Sequence, residues 1–182
     1  MFATDENGWA IGAIDALPPA AAYSLLSPEP GSRLDGARWA HQARTFFSST
    51  LTLVSEKRYP GGASPLADTF VVDLAPLREG AFVPTRLTGR TLPFDRAPEV
   101  REASKQGIAA IGDAGFDVLL RRAQRLFQVS TEVPPEGDPR TPLLLAAILA
   151  SVLLAPIVPP DARAAFGVKG ARERLEKLGL RC

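Results

Sequence analysis

The sequence holds one cysteine and one histidine among 182 residues. A lone Cys182 excludes an intramolecular disulfide and a thiolate cluster for zinc. His41, in Trp39-Ala40-His41-Gln42, has no second histidine to share a metal with and no cysteine near it in sequence. Its reading is therefore structural rather than catalytic, although its charge switches near neutral pH. Net charge is also scarce, at +1. No overall field draws in nucleic acid or an anionic membrane, and any anion site must be local. The opening residues, Met1 to Glu6, are acidic and lack both a basic and an apolar signal region, so the expected compartment is the cytoplasm.

The familiar catalytic motifs are missing as well. Ser64 follows Gly62-Ala63, but Leu66 stands where a nucleophile elbow needs glycine. Gly107, Gly112 and Gly115 lack the Gly-Lys-Ser/Thr ending of a phosphate loop. Glu132, Glu136 and Asp138, and separately Asp113 and Asp117, read as a solvated loop and a helix start. No cofactor is expected, and nucleic acid is not an expected partner.

What is present suits a globular protein: 46% hydrophobic and 23% charged residues. Arginine far outnumbers lysine, a bias of GC-rich bacterial genomes. The expected fold class is α+β in one domain of residues 1–182, with residues 1–97 mainly antiparallel β packed against mainly helical residues 98–182. Asn7-Gly8 predicts an N-terminal hairpin, and residues 15–27 a short helix. Residues 38–55 read as the best strand region, with Phe47, Leu51 and Leu53 on one face and Thr50 and Thr52 on the other. Tyr59-Pro60-Gly61-Gly62 turns the chain. A second strand over 69–74 places Phe70, Val72 and Leu74 together. A third, over 81–91, contains Pro84 and so belongs at an edge or bulge.

Pro98 opens a helix that ends near Gly112. Phe116, Leu119, Leu120, Ala123, Leu126 and Phe127 follow helical spacing, with Arg121, Arg122 and Arg125 on a solvent face. Residues 141–160 carry no charge. Pro156 limits a helix there to about 21 Å, against a hydrocarbon core of about 30 Å. A buried core helix is expected, with a homodimer helix or a membrane span as alternatives. A last amphipathic helix, over 171–180, turns Leu175 and Leu178 inward.

Arg86, Thr88 and Arg90 form the most suggestive pattern. On a strand they project from one face, with Val83 and Leu87 on the other. Two guanidiniums so spaced can hold carboxylates bidentately. The expected function is non-catalytic capture of a peptide or protein segment, by strand addition at a sheet edge. Arg86, Thr88, Arg90, Phe70 and Val72 would form the binding surface, and such an accessory factor could present a precursor peptide to modifying enzymes. Two alternatives stand beside it. One is a small enzyme with a carboxylate, Arg, His41 or Tyr23 site assembled in the fold. The other is a structural homodimer subunit.

Overall fold

A computed structural model describes residues 14–31, 34–54 and 66–182 of the chain. The expected Asn-Gly hairpin, the 59–62 turn and Ser64 lie outside the described residues. The α+β class is as expected: an antiparallel sheet with helices packed against it. In chain order the strands are β1 (Ala22–Ser27), β2 (Ser49–Val54), β3 (Asp68–Pro76), β4 (Thr85–Pro93), β5 (Arg125–Ser130) and β6 (Ile157–Val158). The helices are α1 (Gly36–Phe46), α2 (Pro98–Ala109), α3 (Phe116–Arg122), α4 (Thr141–Leu153) and α5 (Val168–Lys177). The sheet runs β2-β3-β4-β5-β1-β6, and every pairing is antiparallel.

One sheet face carries Leu25, Leu51, Phe70, Val72, Leu74, Leu87, Phe127 and Val129, all buried against α1, α4 and α5. The charge-free segment is the centre of that layer. Eleven of the thirteen residues of α4 are buried, which settles it as a core helix. No helix among the described residues is long and apolar enough to cross a membrane. The other face carries Leu26, Leu92, Leu126 and Val158 beneath α2, joined by Phe94, Val100 and Ile108. That cover spans the β1, β5 and β6 end; among the described residues the β2 to β4 end of this face carries Thr52, Val54, Val71, Asp73, Arg86 and Thr88.

Several local expectations are corrected. Residues 36–46 form a helix, and alternation begins only at Ser49. The Asp35 carboxylate accepts from the Arg38 amide at 3.0 Å and starts α1. Trp39 and Ala43, one turn apart, then face the core, where Trp39 meets Phe70 edge to face at 5.3 Å. Residues 22–27 are a strand rather than a helix, after a short 3-10 turn at Pro19–Ala21.

The helix expected over 116–127 stops at Arg122, and β5 follows, buried along its whole length between β4 and β1. A short apolar run fits both periods, and pairing on two sides decides for the strand. Arg125 therefore points inward and is only 4% exposed. Its donors reach the Pro30 carbonyl (2.9 Å), the Thr91 hydroxyl (3.2 Å) and the Leu66 carbonyl (3.0 Å). The strand after Pro84 is interior, paired with both β3 and β5, because Pro84 precedes its first residue and removes no ladder bond. Leu175 faces the core as expected, but Leu178, also expected inward, is 50% exposed; Ala171 and Leu180 complete the core positions.

Gly89 sits where β3, β4 and β5 meet. A Cβ there would enter the Phe70 ring and stand 2.5 Å from the Gln128 carbonyl. Gly89→Ala should therefore destabilise the fold by about 1–3 kcal/mol, the range of overpacked cores, measured by urea denaturation.

The loop before α4 is fixed by an ion pair whose carboxylate, Asp138, is buried. Arg140 donates through Nε to Asp138 Oδ1 at 2.9 Å and through Nη2 to Oδ2 at 2.6 Å. The Arg140 and Val83 amides also donate to this carboxylate, and the Asp138 amide donates to Thr85 Oγ1 at 2.8 Å. Arg140's hydrogen bonds hold the Asp138 carboxyl below its ordinary range despite burial. A depressed folded-state pKa stabilises above the unfolded value of about 4 and is lost as pH falls through the folded value. Asp138→Asn should cost about 2–4 kcal/mol at pH 7. The gap between variant and wild type should narrow below about pH 4, as read from urea midpoints across pH.

Candidate functional site

The expected binding residues split between the two faces of the sheet. Phe70 and Val72 are 3% and 0% exposed, packed beneath α1 and α4, and offer no surface to a partner. Their parity on β3 is the core parity, so they cannot share a face with Arg86. Arg86, Thr88 and Arg90 do share the opposite face, as expected, with Leu87 behind them in the core. Val83, expected beside Leu87, precedes the strand and is 50% exposed.

Both arginines already have partners. Asp73 lies directly across from Arg86 in the β3–β4 register. Arg86 holds it bidentately, Nε to Oδ1 at 2.8 Å and Nη2 to Oδ2 at 2.9 Å. This pair lowers the Asp73 carboxyl and raises the guanidinium, through the side-chain hydrogen bond first. Arg90 donates through Nη1 to the Asp15 carbonyl at 2.7 Å, and burial lowers its pKa. Gln128, paired with Arg90 across β4–β5, accepts from the Leu17 amide at 2.7 Å and donates to the Leu17 carbonyl at 3.0 Å. Arg90 thus helps to strap residues 15–17 across this face. The one missed element, Asp73, is a carboxylate on the neighbouring strand that only the register could pair with Arg86.

Arg86 also borders a cleft of about 360 Å³ with Asp73, Pro84, Pro134, Glu136 and Gly137. A second, of about 450 Å³, has Tyr23, Pro159, Asp161, Phe166, Arg174 and Lys177 on its walls. Burial first, then the Asp161 charge, raises the Tyr23 hydroxyl, so it stays protonated at neutral pH. Arg174 lies 3.8 Å over the Phe166 ring and donates to the Gly170 carbonyl at 3.1 Å. A third cavity, of about 440 Å³, lies between the α1–β2 junction, the loop before β4 and the chain after α5. His41 is exposed on α1 and borders none of the three. Among the described residues no group of three or more His, Cys, Asp or Glu comes together to hold a metal.

The two edges of the sheet differ. At one edge β6 is two residues long, stops at Pro159-Pro160, and bridges Phe166 on its outer side. At the other, β2 pairs only with β3 among the described residues. The Leu77 amide donates to the Ser48 carbonyl at 2.9 Å, which fixes the alternation of the ladder. Residues 50, 52 and 54 turn their backbone groups toward β3, and residues 49, 51 and 53 turn theirs away. Ser49 and Leu51 are buried, so the accessible stretch of this edge is 52–54, with Thr52 exposed and Leu53 and Val54 half-buried. It carries no charge, no proline and no bulge, the devices that usually guard an edge.

The chain matches no protein-family model, no curated protein and no solved structure.

The arginine contacts predict an unequal double substitution. Arg86→Ala loses an exposed pair and should leave the urea midpoint unchanged within error. Arg90→Ala frees the strap at Asp15 and should lower that midpoint, with faster amide exchange at Leu17.

Proposed function

We propose that this chain is a non-catalytic binding protein that captures an extended peptide or protein segment by strand addition at the 52–54 edge of β2. The observation that carries this reading is the unguarded edge itself. Leu51 and Leu53 turn backbone donors and acceptors outward, with no described strand beside them. Main-chain hydrogen bonds supply affinity in this mode, and side chains flanking the edge supply selection. Thr52 is the exposed flanking residue. Arg86 lies two strands further in and is held by Asp73, so an acidic residue of the ligand would have to displace that carboxylate. In this role the protein would serve as an accessory factor, for instance one that presents a precursor peptide to modifying enzymes.

A second copy of the chain could occupy the same edge, β2 against β2 about a two-fold axis. Sedimentation over a range of concentrations separates that homodimer from a 1:1 peptide complex.

Leu53→Pro removes an outward amide at a position whose ladder bonds do not face β3. Tagged wild type and this variant are compared in a pull-down from the native host, with thermal melts confirming that the variant folds. The retained peptide should be lost by Leu53→Pro, and it should slow amide exchange at Leu51 and Leu53 of wild type. Equal retention by the variant, or unchanged exchange at those two amides, would overturn the reading.

A further inference from the structure

We propose that the 450 Å³ cleft beside Tyr23 binds a free apolar α-amino acid, with Asp161 taking its ammonium and Arg174 and Lys177 its carboxylate. This site is separate from the β2 edge and does not depend on strand addition.

The walls carry both signs of charge around an apolar centre. Leu143 and Phe166 line the cleft and belong to the main core. Leu178, the apolar residue left 50% exposed after α5, lines it too. Arg174, Lys177 and Leu178 follow i, i+3, i+4 spacing and so share one side of α5. Asp161 comes from the loop after β6. The half-buried Tyr23 hydroxyl feels both signs: beyond the effect of burial, Asp161 raises its pKa and Arg174 lowers it. The two charges therefore act on one point of the cleft, at a hydroxyl with no hydrogen-bond partner among the described residues. Asp161 makes no ion pair with Arg174 or Lys177, so opposite charges share this cleft without joining each other. A ligand bearing both charges satisfies both walls, and one bearing a single charge leaves the other wall unmatched. Apolar walls with a few convergent polar groups, in a volume of about 300–1,000 Å³, are the usual form of a small-molecule site.

The charged groups are also held in place. Arg174 lies 3.8 Å over the Phe166 ring and donates to the Gly170 carbonyl at 3.1 Å. Phe166 is tied to Ile157 by two backbone bonds, at 2.8 and 3.0 Å. Within the loop so closed, the Ala162 amide donates to the Pro159 carbonyl at 2.9 Å, a turn that presents Asp161. The Asp161 carboxylate accepts from the Arg163 amide at 3.0 Å. A preorganised site spends less of its interaction energy on ordering.

The probe is phenylalanine, titrated into the full chain at low salt and about pH 6, where amines are protonated. N-acetylphenylalanine, without the ammonium, and phenylalaninamide, without the carboxylate, are the matched analogues. Calorimetry gives affinity, and amide chemical shifts give location. Phenylalanine should bind saturably, with shifts centred on Tyr23, Phe166, Lys177 and Leu178. Each analogue should bind about five- to tenfold more weakly. Asp161→Asn keeps the oxygen that accepts from Arg163, and Lys177→Gln alters an exposed side chain, so both should fold as wild type. Asp161→Asn should weaken phenylalanine by a similar factor and leave N-acetylphenylalanine unchanged. Lys177→Gln should weaken phenylalanine and leave phenylalaninamide unchanged, while Arg86→Gln alters none of the three. No saturable binding of phenylalanine, equal binding of the three ligands, or shifts centred elsewhere overturns the proposal. So does wild-type affinity for phenylalanine in either cleft variant, or an equal loss for its matched analogue.

Discussion

The burial of α4 is the constraint on which the other layers depend. The helix has no charge, and only two of its thirteen residues lie outside the core. A helix apolar on every side cannot rest on a surface, so it must be enclosed. The sheet closes one side, while α1 and α5 pack alongside it. Each fully buried leucine or isoleucine contributes about 1.5–3 kcal/mol relative to exposure. Leu143, Leu144, Leu145, Ile148 and Leu149 therefore act together as the main apolar anchor. The first sheet strand to touch it, β1, and the last helix, α5, are far apart in sequence, which makes the core a long-range assembly.

Around that core Arg125 and Arg140 tie loops together. Arg125 ties the 30 and 66 loops to β4, and Arg140 ties the loop before β4 to the end of α5. Arg125 meets no carboxylate among the described residues, whereas Arg140 is neutralised by Asp138 at 2.6 Å. A guanidinium can serve several carbonyls at once because its five donors are fixed in one plane. The same property that suggests anion capture in a sequence thus often serves loop closure in the fold. Arg86 and Arg90 follow this pattern, one across the sheet to Asp73 and one to a backbone carbonyl.

The asymmetry of the sheet follows from its flanking residues. Pro156, Pro159 and Pro160 keep β6 short, since proline cannot donate to a ladder. β2 has no such residue in Ser49–Val54, and alternating threonines face outward from it. At the β2 to β4 end of the second face Thr52, Asp73 and Arg86 form a polar row across three strands.

Periodicity and local punctuation by themselves determined α2, α4, the alternation of β2 and β3, and the α+β class. Those signals act over neighbouring residues: Pro98 at a helix start, Pro156 beyond a helix end, and parity at Leu51 and Leu53. The shared face of Arg86, Thr88 and Arg90 was legible for the same reason. Tertiary structure alone decided that residues 125–130 are a strand, because six residues that fit two periods took the one that paired with β1 and β4. It alone turned Arg125 inward and gave Arg86 to Asp73, since cross-strand partners are set by register. It alone made β4 interior and β2 the edge, because strand order depends on which apolar faces close over α4. That closure is a property of the whole chain and leaves no local mark.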